Sequence, residues 1–144
     1  MRFAGVPLIV LAAMLCLAAP IARAATDCPS QSTGVPGPFL VYFAVGSTKI
    51  NAAGLAAIRE AAGRAKALYV RKVCVRGKAD KQGNAQANFT LSVHRAEAVA
   101  AALVAEGVDA GTIVVIGKGE AYGDSMTFLQ NSQEDRSVRI TLTK

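Results

Sequence analysis

The residues best placed to do chemistry with a partner lie between positions 77 and 96. A polar, glycine-bounded stretch, Gly77-Lys78-Ala79-Asp80-Lys81-Gln82-Gly83, leads into Asn88-Phe89-Thr90-Leu91-Ser92-Val93-His94-Arg95-Ala96. Asp80 supplies an anion in a loop, and Arg95 a cation near the start of a helix. Such residues usually serve the fold: a loop aspartate satisfies nearby amides, and a helical arginine sits in solvent. An exposed pair of the two is worth only about 0–1 kcal/mol. Convergent in a pocket, they would instead grip a ligand bearing both signs of charge. Residue types alone leave these readings open. Other chemistries lack their residues. The sole histidine is His94, read as a surface residue. There is no C-x-x-C, nucleophile elbow, Walker loop or metal-ligand spacing, and Gly117-Lys118-Gly119 lacks the third glycine of a dinucleotide fingerprint. No enzyme activity, metal or cofactor is expected.

The elements that must position these residues follow from periodicity. Phe39 to Phe43 is a continuous apolar run, which suits a strand buried on both faces. Asn51 is a good N-cap for a helix to about Leu68, with Leu55, Ile58, Ala62, Ala65 and Tyr69 along one stripe. Val70 to Arg76 alternates, with Val73 and Val75 on one face and Lys72, Cys74 and Arg76 on the other. Gly77 to Gly83 reads as a loop. A second helix is expected from about Asn88 to Glu106, burying Ala96, Val99, Ala100, Leu103 and Val104 and stopped by Gly107. Ile113 to Ile116 is a third strand, and 118–135 a long loop or short helix. Arg136 to Lys144 is a fourth strand, with Val138, Ile140 and Leu142 facing in and Ser137, Arg139, Thr141 and Thr143 facing out. Helices between strands imply crossovers and some parallel pairing. The expected fold is α+β, a two-layer α/β sandwich of order β-α-β-α-β-β, with two main helices on one face of a mixed four-stranded sheet.

Residues 1–24 read as a cleavable signal peptide. Arg2 is followed by an uncharged run, Pro20, and the small-x-small site Ala22-Arg23-Ala24. Cys16 and Cys28 do not sit in a lipoprotein processing site. Residues 25–38, with Pro29, Pro36 and Pro38, read as a flexible tail, leaving 39–144 as the domain. Two of the three cysteines, Cys28 and Cys74, remain in the mature chain. An oxidising compartment permits a disulfide between them; unpaired thiols are the alternative. The whole chain carries a formal charge of +6, of which Arg2 and Arg23 leave with the leader. That excess is too small and too scattered to indicate nucleic-acid binding. No transmembrane span is expected after cleavage.

The stretch from Gly77 to Ala96 resembles the peptidoglycan-binding segment of the OmpA-like C-terminal domain family. That pattern runs G-H-T-D-x-x-G, then N-x-x-L-S-x-x-R-A-x-x-V. Gly77, Asp80 and Gly83, then Asn88, Leu91, Ser92, Arg95, Ala96 and Val99, stand at matching spacing. Phe39–Phe43 looks like the family's first strand, and Leu103 through Val108 like its L-x-x-x-G-V helix end. Gly117-Lys118-Gly119-Glu120 is similar to its G-x-G-E turn, and Arg136 to Ile140 to its closing strand. The resemblance implies non-covalent binding of peptidoglycan in the periplasm through the diaminopimelate of the stem peptide, in a structural envelope role. It implies a site of Asp80, Arg95, Asn88, Ala79, Leu91 and Arg136. Asp80 would accept hydrogen bonds from the ligand's ammonium and Arg95 would hold its carboxylate. Asn88 would cap the helix or order the loop.

Several supporting groups of the family depart here. Its His and Thr before the Asp are Lys78 and Ala79, and the acid that often follows the first-strand Phe is Ala44. The Asn and second Arg of the closing motif are Asp135 and Ser137, and an upstream Arg is Ser132. These departures raise an alternative: a periplasmic interaction module with a degraded peptidoglycan pocket, whose partners would be outer-membrane or envelope proteins.

Overall fold

The structure, a computed structural model, describes residues 28–29, 31–80, 84–120 and 133–144, with the backbone only at Glu120. The expected signal peptide over 1–24, Lys81, Gly83 and Ser132 lie outside them. The described elements are β1 (Phe39–Tyr42), α1 (Ala52–Ala67), β2 (Lys72–Ala79), α2 (Ala85–Ala105), β3 (Ile113–Glu120) and β4 (Ser137–Thr143). Two short 3-10 turns, at Ala110–Thr112 and Gln133–Asp135, precede β3 and β4. The sheet order is β1-β4-β2-β3. β4 runs antiparallel to both its neighbours, and β2 is parallel to β3. The expected α+β two-layer sandwich is therefore what forms, with α1 and α2 packed on one face.

That face follows from strand alternation. Val73 and Val75 of β2 and Val138, Ile140 and Leu142 of β4 are fully buried with Val41, Ile58, Val99 and Leu103. β1 differs from expectation: it is an edge strand, so Val41 and Phe43 face inward while Leu40 and Tyr42 are half-buried. Its run of apolar residues does not mark burial on both faces.

Helix ends are set by local chemistry. The Asn51 side chain accepts from Gly54 N at 2.7 Å, as a cap should. Beyond α1, Tyr69 N–H reaches Lys66 O and Val70 N–H reaches Ala65 O, a Schellman ending that requires left-handed backbone. Tyr69 adopts it with φ of 50°. It is 88 % exposed rather than on the buried stripe. Leu55 and Val104, also expected inside, are exposed at the rims of their helices. α2 begins a turn earlier than expected, because Asn84 caps it by accepting from Ala87 N at 2.7 Å. Asn88 is thus not the cap; it is buried in the helix. Gly107, at φ of 91°, ends α2 with the same pair of bonds seen after α1.

The stretch expected to be a flexible tail is fastened to the sheet where it is described. Cys28 is bonded to Cys74, with Cα atoms 5.7 Å apart. Thr141 donates to Pro29 O, Leu142 N–H donates to Ser32 Oγ, and Thr33 forms a parallel bridge with Thr143. β1 pairs with only the first half of β4, so the tail takes the remaining hydrogen-bonding positions. This accounts for the burial of Cys74 and Thr141, which strand alternation alone would put in solvent. Ser137 is buried too, its hydroxyl donating to Glu134 O.

Candidate functional site

Two glycines let α2 lie close over the end of the sheet. A Cβ on Gly77 would stand 2.0 Å from Ser92 O, and one on Gly117 2.3 Å from Val93 Cγ2. Neither position tolerates a side chain without moving the helix. Ser92 then ties the layers together: its hydroxyl donates to Phe89 O and accepts from Gly119 N at 2.8 Å. One turn further on, this seating sends Arg95 into the interior. The stretch expected as a loop from Gly77 is accordingly strand as far as Ala79, with a register shift between Gly77 and Ala79. Asp80 follows directly.

Arg95 is fully buried. Its guanidinium donates to three backbone carbonyls: Nε to Ser47 at 2.9 Å, NH1 to Lys78 at 3.1 Å and NH2 to Ala44 at 3.0 Å. Its carbon lies 5.3 Å from the centre of the Phe43 ring, a favourable placement for a cation. Three of its five N–H groups are thereby used. Burial holds its pKa below the ordinary arginine value; Asp80 opposes that shift and Arg136 adds to it. Arginine nonetheless stays charged.

Asp80 is only 3 % exposed and pairs with Arg136, NH1 to Oδ2 at 3.3 Å. Arg136 Nε also donates to Phe43 O at 3.3 Å. Asp80, Arg95 and Arg136 thus meet at the end of β2, bounded by the segment after β1. Among the described residues they bring two cations and one anion into one enclosed place. Ala79 is buried at the end of β2, Asn88 is buried in α2, and Leu91 is half-buried. His94 points to solvent as expected. In this conformation Arg95 has no solvent contact and the Asp80 carboxylate is already engaged. Sequence reasoning missed Phe43 and the Ala44 and Ser47 carbonyls as parts of this cluster. The apolar strand end was visible, but backbone acceptors carry no side-chain signature.

The pattern that describes the OmpA family matches residues 42–140, which runs from the last residue of β1 into β4 and includes the three converging charges. The chain belongs to the OmpA family. A search of curated proteins finds no match. Among solved structures, this OmpA-family domain is similar to the OmpA-like domain of FopA1 from Francisella tularensis. They are 26 % identical with a TM-score of 0.63, over 70 % of this chain and 68 % of that one. It is similar in fold to the peptidoglycan-associated lipoprotein from Burkholderia pseudomallei, at 24 % identity and a TM-score of 0.65, covering 72 % of this chain and 88 % of that one. The C-terminal domain of Helicobacter pylori MotB shares 22 % identity and a TM-score of 0.64, over 76 % of this chain and 86 % of that one. A longer solved piece of that protein is described as its periplasmic domain. Among the described residues no helix is long and apolar enough to cross a membrane.

Proposed function

We propose that this OmpA-family protein is exported behind the leader of residues 1–24 and binds peptidoglycan non-covalently in the periplasm. The ligand group is the diaminopimelate of the stem peptide, and no bond is made or broken. The observation that carries this reading is the convergence of Asp80, Arg95 and Arg136 under α2. Buried Arg95 and half-buried Arg136 flank one carboxylate in a place of low dielectric, where a ligand carboxylate would meet favourable charge. Arg95 retains two N–H groups beyond its carbonyl bonds, enough to hold a carboxylate. The ligand's ammonium would take the place of Arg136 on Asp80, so binding requires that ion pair to part. The Burkholderia relative, whose name marks association with peptidoglycan, supports the same direction.

The test is sedimentation with purified sacculi. Wild type is expected to pellet and to be released by free diaminopimelate. Asp80→Asn and Arg95→Lys, checked for folding by circular dichroism, are expected to stay in solution. Equal pelleting of folded variants removes these residues from the site. A second reading, an envelope interaction module with its pocket closed, is favoured by the enclosure of Arg95 and the engagement of Asp80. It predicts that wild type stays in the supernatant.

A further inference from the structure

β3 borders the sheet. One side of it is hydrogen-bonded to β2; among the described residues the other side meets no strand. Every second residue of such a strand turns its N–H and C=O outward. An edge of this kind is a template for another strand unless it is short, charged, bulged or covered. The outer stretch Ile113 to Gly117 reads Ile-Val-Val-Ile-Gly, and the first charge on the strand is Lys118. Val115 is the register partner of Val75, whose side chain lies in the core. Val115 therefore faces the helix layer, yet it is 39 % exposed, because that layer ends above it. Val93 of α2 lies against Gly117 and Phe89 against Gly119, so α2 runs antiparallel to β3. At helical spacing Phe89, Val93, Ala100 and Val104 share the flank of α2 that looks outward over this border. Phe89 is 47 % and Val104 44 % exposed. Exposed Glu97 is the one charged side chain along that flank.

We infer that two copies of this chain join along this border, β3 against β3 and antiparallel, about a two-fold axis perpendicular to the sheet. Such a pair closes on itself and uses the same patch on both copies. The helices follow the strands. Ser92 and Val93 lie over Gly77 and Gly117, which are register partners in β2 and β3. The axis of α2 thus runs above the gap between those strands, about half a strand spacing inside the edge. With strands about 4.8 Å apart, the two α2 axes stand about 10 Å apart across the new seam, the distance at which helices pack. Sheet and helix layers therefore close together, and Phe89, Val93, Ala100, Val104 and Val115 leave water. A border about 25 Å long and about 20 Å deep buries on the order of 1,000 Å² in total, the lower limit for specific association. The pair is accordingly weak, and the two Glu97 carboxylates near the axis oppose it. The Asp80 ends of β2 face opposite ways in the pair, so two copies hold two wall strands. That consequence rests on the wall-binding reading; the association does not.

The experiment is sedimentation equilibrium of the protein recovered from the periplasm of an expressing host, with its disulfide intact, from about 1 μM to about 1 mM. Wild type is expected to pass from monomer to dimer within that range, and to associate more tightly as salt is raised, since screening relieves Glu97. Val115→Lys sets two like charges near the axis, and Val104→Lys puts a charge into the apolar seam from each copy. Each should weaken the pair about a hundredfold or more. Leu55→Lys, at the exposed rim of α1, should leave it within about twofold. Folding of each variant is checked by circular dichroism; if Val115→Lys unfolds, Val104→Lys on the helix surface carries the test. Hydrogen exchange reads the strand directly: outward amides between Ile113 and Gly117 should slow as the dimer fills. The inference is overturned if wild type stays monomeric throughout, grows beyond a dimer, or associates less tightly as salt is raised. It is equally overturned if Val104→Lys pairs as well as wild type, or if the β3 amides exchange alike in monomer and dimer.

Discussion

Removing the Cys28–Cys74 bond tests how the tail is held. The two cysteines are separated by 46 positions. Opening a loop of that length restores chain entropy to the unfolded state equal to about 4 kcal/mol at 25 °C. The tail contacts carry little by themselves: one hydroxyl bond from Thr141, one to Ser32, one from the Arg76 guanidinium to Cys28 O, and the short bridge at Thr33. Small domains have only about 5–15 kcal/mol of stability in all, so the loss is a large fraction. For a domain of this size it lowers the melting temperature by roughly 12–20 °C. The clean variant is Cys28→Ala with Cys74→Ala, since Cys74 is buried and a serine there would add an unsatisfied hydroxyl. Calorimetry and guanidinium titration of the oxidised wild type and this variant measure the difference. The denaturant slope should also rise, because an uncrosslinked unfolded chain exposes more surface. A melting point lowered by less than about 5 °C, with an unchanged slope, would refute the reasoning. The tail would then be held by its contacts or not held at all.

Other outcomes follow from single positions. Tyr69→Gly relieves a left-handed residue that is almost wholly exposed, and should raise stability by about 0.5–1 kcal/mol in guanidinium titration. Gly77→Ala sets a methyl against the Ser92 carbonyl. It should cost about 2–3 kcal/mol and lower the melting point, since backbone cannot swing aside as a side chain can. Arg95→Met strands the Ala44, Ser47 and Lys78 carbonyls. It should destabilise by about 3 kcal/mol even though a buried charge has gone, as thermal melting would show.

Most of the fold was legible because the core speaks through period. Val138, Ile140 and Leu142 alternate, Ile58, Ala62 and Ala65 recur at helical spacing, and each sits where that pattern puts it. The errors lie where one local signal competes with another. Asn84 and Asn88 are both good caps, and only the first has a free amide three residues on. Tyr69 continued the apolar stripe but fell one residue past the end of the helix. An edge strand and a central one can share the same apolar run, so Phe39–Phe43 could not announce its place. The meeting of Asp80, Arg95 and Arg136 was readable as a family pattern. That the two arginines would be clamped by carbonyls of Phe43, Ala44, Ser47 and Lys78 was not, because main-chain acceptors look alike at every position.

β4 lies between β1 and β2 and is hydrogen-bonded to both, yet it is the last of the four strands to be synthesised. Until it arrives, β1 has no neighbour to pair with and β2 can pair only with β3, so two helices cover an apolar layer with a gap through its middle. Completion then depends on a seven-residue strand slotting into the vacancy, so clipping those residues would remove the keystone of the sheet rather than trim its border.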